Sequence, residues 1–199
     1  MSGLNTYKYY IIHKPYGMLS QFTREGNNLA LADLDFDFPK DIYPVGRLDA
    51  DSEGLLILTN DNFLKTKLLD PKNRHFRTYY VQVDGQVTEE AIRQLEKGVE
   101  ISVNGKKYKT LPCKATEIAN PNFEERTPPV RFRANIPTSW ISISLHEGKN
   151  RQVRKMTAAV GFPTLRLVRV SIEKLQLANL PIGQYQEISK KELLEKVFR

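Results

Sequence analysis

Between Gly46 and Gly54 the chain reads Gly-Arg-Leu-Asp-Ala-Asp-Ser-Glu-Gly, so Arg47, Asp49, Asp51 and Glu53 crowd one short stretch. That stretch runs into the apolar run Leu55-Leu56-Ile57-Leu58. A carboxylate at the mouth of a buried strand is held rigidly, and an ionised Asp can then act as nucleophile or general base. Other readings of these residues stand beside that one. D-x-D-x-E-G resembles the start of a calcium loop, although the twelfth position is Asn60 and not Glu. Asp49 can also cap a turn, or pair with Arg47 on the surface. A second dense stretch, Lys149-Asn150-Arg151-Gln152-Val153-Arg154-Lys155, offers planar guanidinium forks that suit phosphate and stack on bases.

These cations belong to an uneven charge distribution. The 199 residues carry 30 Lys+Arg and 23 Asp+Glu, a formal net charge of +7. Between Arg126 and Ile172 lie nine basic residues (Arg126, Arg131, Arg133, Lys149, Arg151, Arg154, Lys155, Arg166 and Arg169) and one acid, Glu147, a net of +8. The rest of the chain is close to neutral. A segment this rich in Arg favours a polyanionic partner, of which nucleic acid is the commonest, over a merely solvated face. An anionic membrane surface fits less well, because no long amphipathic basic helix is present.

Several classes drop out. The single cysteine, Cys113, excludes a disulfide framework within a monomer. His13, His75 and His146 are too scattered for the usual zinc spacing, and no metal is expected. No apolar run approaches the roughly 20 residues of a membrane span. Met1 to Tyr7 has no signal-peptide character, so a reduced, cytoplasmic compartment is expected. Neither GxxxxGK[ST], GxGxxG nor GxSxG occurs, so nucleotide hydrolysis and serine-esterase chemistry lack their usual devices.

The elements that must position these groups read as follows. Strands are predicted at 7–13, 54–59, 77–83, 99–103, 107–119, 140–145 and 164–170. Asn104-Gly105 is a hairpin signal. Asn60 or Asp61 caps a helix reaching Leu69, and Thr88 caps one running to Lys97 and stopped by Gly98. Asn150 is expected to cap a helix to Val160, with Gly161 as its C′ residue and Val153, Met156 and Val160 on its core face. A surface helix is expected from Ser189 to Phe198. Asn120 to Thr138 holds four prolines without periodicity and reads as a long functional loop. Irregular interleaving of strands and helices points to α+β, with a mixed, largely antiparallel sheet.

With its positioning elements drawn, the sequence resembles the RsuA-type pseudouridine synthases. The resemblance rests on Gly46-Arg47-Leu48-Asp49 followed by Gly54-Leu55-Leu56-Ile57-Leu58-Thr59-Asn60-Asp61. It also rests on Lys14-Pro15-Tyr16-Gly17, on Arg77-Thr78-Tyr79-Tyr80-Val81, and on Gly148 to Met156 with Val160-Gly161-Phe162-Pro163 after it. It implies the family's fold, a central sheet flanked by helices with an active-site cleft, as a single catalytic domain over residues 1–199 without the N-terminal S4 domain. It makes Asp49 the catalytic aspartate, Tyr79 the active-site tyrosine and Arg154 the cation beside Asp49. Arg47 would enter the space left by a flipped nucleotide, whose extrusion costs a few kcal/mol. Lys149, Arg151 and Lys155 are assigned to RNA backbone, and Arg126, Arg131 and Arg133 to site selection. Tyr80 would face the opposite side of its strand.

The implied reaction is an isomerisation of uridine that needs no cofactor. The implied substrate is one uridine of 23S ribosomal RNA in the large subunit, and a monomer is expected. A synthase for 16S ribosomal RNA or transfer RNA, and a catalytically silent RNA-binding assembly factor, remain as alternatives.

Overall fold

The computed structural model describes residues 7–131 and 136–198. In chain order its first elements are β1 (Tyr9–Lys14), β2 (Tyr43–Pro44), β3 (Glu53–Thr59), α1 (Asn62–Leu69), β4 (Arg77–Asp84), α2 (Glu89–Lys97), β5 (Glu100–Val103) and β6 (Lys106–Lys109). They are followed by β7 (Lys114–Ile118), β8 (Thr138–Leu145), α3 (Gln152–Ala159), β9 (Thr164–Ile172), β10 (Leu175–Gln176), β11 (Tyr185–Glu187) and α4 (Lys190–Val197). The α+β class is as expected. The chain divides into two compact units, Met1–His75 with Ser171–Arg199, and Phe76–Val170.

In the first unit β1 lies between β11 and β3, antiparallel to both, and β2 pairs with the other edge of β3 near its end. All seven residues of β3 are buried, the apolar run Leu55–Leu58 together with the polar Glu53 and Thr59 at its ends. Asp61, not Asn60, caps α1, accepting the Leu64 N–H at 3.0 Å. Asn60 instead accepts the Lys8 N–H at 2.8 Å and donates to Asp41. The 35–40 loop is pinned by aromatic rings: Phe36 and Phe38 pack on Tyr10 and Tyr185 at centroid distances of 4.0–5.8 Å. Beneath α4, capped by Ser189, Leu193 and Val197 are fully buried.

In the second unit the strand order is β9-β4-β8-β7, with β4–β8 and β8–β7 antiparallel, and β5–β6 form a separate hairpin. Asn104 and Gly105 both take positive φ, 50° and 76°, the geometry a two-residue hairpin turn demands. One predicted strand divides. The chain read as one strand over 107–119 leaves β6 after Lys109 and joins β8 only from Lys114. Pro112 has no N–H, and the Leu111 and Cys113 N–H groups go to Glu147 Oε1 and Glu96 O. The core joins Val81, Val83, Leu95, Ile141, Ile143, Val153, Met156 and Leu167, closed partly by Val160 and Phe162. Cys113 lies against this core, and burial pushes its thiol up to about 12.

Candidate active site

Asp49 sits in the first unit, on the connection from β2 to β3. Several backbone groups of that connection are tied down. Gly46 has φ +75°, and a Cβ there would lie 3.1 Å from Leu69 Cδ2, so glycine lets the turn close onto α1. Ser20 clamps Leu48 from both sides: its Oγ accepts the Leu48 N–H at 2.9 Å and donates to the Leu48 carbonyl at 2.8 Å. The Ser52 N–H closes a turn on Asp49 O at 3.0 Å, and the Gly17 N–H donates to Ala50 O at 2.7 Å. Lys14, fully buried at the end of β1, donates to Met18 O at 2.6 Å and Pro15 O at 2.8 Å, with Ala50 O at 3.5 Å. A buried ammonium is tolerated only with such partners, so Lys14 holds the Pro15–Met18 loop against the Asp49 turn. The Asp49 side chain is half-buried. Arg47 is exposed, with its guanidinium 3.5 Å from Gln21 Oε1.

The calcium-loop reading fails on the same stretch. Glu53 begins a strand, and among the described residues no three His, Cys, Asp or Glu side chains gather as metal ligands would.

Tyr79, Arg154 and the remaining basic candidates sit in the second unit. Tyr79 packs against the buried core, opposite Ile143 of β8. Tyr80 points the other way and meets Phe123, at 6.1 Å between centroids. The alternation expected along β4 is therefore present. Arg169 of β9, only 3% exposed, donates a hydrogen bond to the Tyr79 side chain. Burial pulls the Arg169 guanidinium below its ordinary range, with Arg77 adding to this, while Tyr79 works in the other direction. Sequence reasoning counted Arg169 only as charge. Its place beside Tyr79 depends on strand neighbours that motif spacing does not reveal.

The basic helix begins later than expected. Asn150 does not cap it. Arg151 occupies the N-cap with φ 52° and ψ 33°, without a side-chain cap, and α3 proper starts at Gln152. The capping runs backwards instead: Gln152 Oε1 accepts the Lys149 N–H at 2.9 Å, and Gln152 Nε2 donates to Glu147 Oε1 at 2.5 Å. Glu147 also accepts from Tyr108 Oη at 2.6 Å and from the Leu111 N–H at 2.8 Å. That bond to Glu147, followed by burial, pushes the Tyr108 hydroxyl up to about 12. Lys149 Nζ lies over the Tyr108 ring, 4.8 Å from its centroid. Val153 and Met156 face the core, and Arg151 and Lys149 are exposed while Arg154 and Lys155 are half-buried. The helix ends in the paired bonds of a Schellman turn, Phe162 N–H to Thr157 O and Gly161 N–H to Ala158 O, both 3.0 Å.

The long loop corrects one expectation. Arg126 is buried, 9% exposed, so it is part of the loop's packing and not an exposed basic contact. The loop is anchored at Phe123, which packs on Tyr80 and on Trp140 at 5.8 Å, with the Arg166 guanidinium over its ring. Arg166 Nη1 also donates to Glu124 O at 2.9 Å. Arg131 is exposed, and Arg133 lies outside the described residues.

Asp49 thus lies on the turn into β3, Tyr79 on β4, and Arg154 and Lys155 on α3. The model of the family described as RNA pseudouridylate synthase matches residues 8–159, and the chain belongs to that family. It is an isomerase acting on uridine in RNA.

Among the curated relatives, ribosomal large subunit pseudouridine synthase E of Vibrio parahaemolyticus is 52% identical over 186 residues, 93% of this chain and 75% of its own. The protein of the same name from Xanthomonas campestris is 43% identical over 176 residues, 88% of this chain and 92% of its own. A crystal structure of a pseudouridylate synthase superposes with TM-score 0.78 at 26% identity, over 99% of this chain and 76% of that one. No helix among the described residues is long and apolar enough to cross a membrane.

Proposed function

We propose that this enzyme converts one uridine of 23S ribosomal RNA, in the large subunit, to pseudouridine, with Asp49 as its catalytic carboxylate. The observation that carries the reading is the run of ordered motifs around Asp49, Tyr79 and Arg154, together with relatives named for the large ribosomal subunit that match across most of the chain. Both units carry family motifs, and they serve as one catalytic domain.

The chemistry asks three things of the protein. The target base must leave the RNA stack, and the exposed Arg47 fills the space it vacates. An ionised Asp49 then drives cleavage of the N1–C1′ bond. The freed uracil turns and rejoins the ribose through C5, C5 giving up its proton and N1 gaining one. Tyr79 stacks on that uracil, and Arg154 supplies the positive charge that the family's motif pairs with its aspartate. Backbone phosphates are held by Lys149, Arg151 and Lys155, and Arg131 and Arg133 of the long loop bias the choice of site. Ribosomal RNA as substrate implies action in the cytoplasm.

The test is Asp49→Asn, read by pseudouridine mapping of ribosomal RNA from cells with and without the protein. One modified position should vanish without the protein and stay absent with the variant, while RNA affinity stays near that of the parent. Product formed by Asp49→Asn would overturn the catalytic assignment. Loss of a position in another RNA would overturn the substrate.

A further inference from the structure

The basic excess of the chain lies in residues 126–172, yet a second patch is hidden in the near-neutral remainder. Residues 63–74, covering α1 and the turn after it, carry Lys65, Lys67, Lys72 and Arg74 against one acid, Asp70. Asp70 is occupied locally, accepting the Lys72 N–H at 2.9 Å.

The helix also exposes apolar surface that its own packing does not use. Leu64 and Leu68 are its buried residues. Phe63 is 76% exposed and Leu69 41%, and Tyr43 of β2 beside them is 53% exposed. Helical spacing puts Phe63 with Lys67, and Lys65 with Leu69, each pair one turn apart, along the two edges of the solvent-facing arc. The Lys65 edge turns toward β2, where its Nζ lies 5.8 Å from the centre of the Tyr43 ring. Leu69 on that edge abuts Gly46, the residue before Arg47. The Lys65–Leu69 edge is therefore continuous, within one unit, with the turn that carries Arg47 and Asp49, and Phe63 with Lys67 lies across the exposed arc from it.

We propose that this face of α1 with Tyr43 is a second RNA-binding surface, receiving the strand that flanks the target uridine. Flat exposed rings interleaved with lysines suit a polyanion with stacking bases. The charge speaks for RNA over a protein partner, since a second copy of the chain would bring the same cations to the same place. The inference rests on the proposed action on RNA.

The test measures RNA affinity of full-length Phe63→Ser and of Lys65→Gln/Lys67→Gln, both in the Asp49→Asn background, with a large-subunit RNA transcript as probe. Binding is then read without turnover, so failure of this surface is separable from failure of the catalytic reading. Phe63 and Lys67 are exposed, Lys65 is half-buried, and Lys67 Nζ lies 4.6 Å from the centre of the Phe198 ring, so thermal melts matching the parent accompany each affinity measurement. Phe63→Ser should weaken binding about fivefold or more, the scale of one base stacked on an aromatic ring. The double lysine variant should lower the slope of log affinity against log salt by roughly 0.7 for each phosphate no longer neutralised. With turnover restored at Asp49, the loss should fall on KM. Unchanged affinity and slope in both variants would overturn the proposal. So would variants that alter only self-association in sedimentation, which would assign the face to a second copy.

Discussion

Glu147 is the one acid between Arg126 and Ile172, and it accepts from three donors: Tyr108 Oη, the Leu111 N–H and Gln152 Nε2. Through Gln152 it sets the turn that presents Lys149 and Arg151 ahead of α3. Hydrogen bonds to a charged acceptor are worth about 1.5–3 kcal/mol each. Glu147→Gln keeps the shape and removes the charge, so it should raise KM for RNA severalfold by loosening that turn. The same variant should let the Tyr108 hydroxyl fall from about 12 toward its ordinary 10.0, followed by tyrosinate absorbance against the parent. Because the folded state holds this phenol proton more tightly, its contribution to stability is complete below pH 10 and fades as pH rises toward 12. An unmoved tyrosinate titration would remove Glu147 from this role.

At the scale of elements, α1 depends on Asp61, which is 2% exposed. Its carboxylate takes the Leu64 N–H at 3.0 Å, the Tyr9 hydroxyl at 2.8 Å and Lys190 Nζ at 3.2 Å. Burial works to raise its pKa, but the three donors together outweigh it and hold the carboxyl below the ordinary 3.8. A carboxyl depressed in the folded state stabilises above its unfolded pKa and loses that contribution as pH falls through the folded value. Asp61→Asn should therefore cost about 1–2 kcal/mol at pH 7, and the deficit should shrink below about pH 4. Urea midpoints at the two pH values measure it. A constant deficit would mean that the charge of Asp61 does not matter.

Across the whole molecule the charge map separates exposed cations, available to RNA, from buried ones. Arg131 and Arg151 are exposed, whereas Arg126, Arg166 and Arg169 are buried. Neutralising Arg131 or Arg151 to Gln should reduce the salt slope of RNA binding by roughly 0.7–0.9 each and leave Tm unchanged. Arg126→Gln should do the reverse, lowering Tm with little effect on the slope, because a buried guanidinium is a packing group. Equal slopes for Arg126→Gln and Arg131→Gln would mean that burial does not sort the two roles.

What the sequence determined by itself was whatever physics confines to a few neighbouring residues. Thr88 and Ser189 cap helices through bonds three residues away, Gly161 closes α3 and Asn104-Gly105 turns a hairpin. The turn before β3 was legible in the same way, because Gly46 and the Ser52 N–H that closes on Asp49 O lie within one short stretch. Asn150 misled because its neighbour, Arg151, takes the N-cap in a left-handed conformation, and the helix is tied instead through Glu147.

Only the tertiary structure decided the rest. Glu147 finds Tyr108 and Leu111 at sequence separations of 39 and 36, and Lys14 reaches Ala50 across 36. Arg126 is buried and Phe63 exposed against the preference of each side chain. Burial of a polar group and exposure of an apolar one are sums over distant neighbours, and those neighbours exist only once the chain has folded.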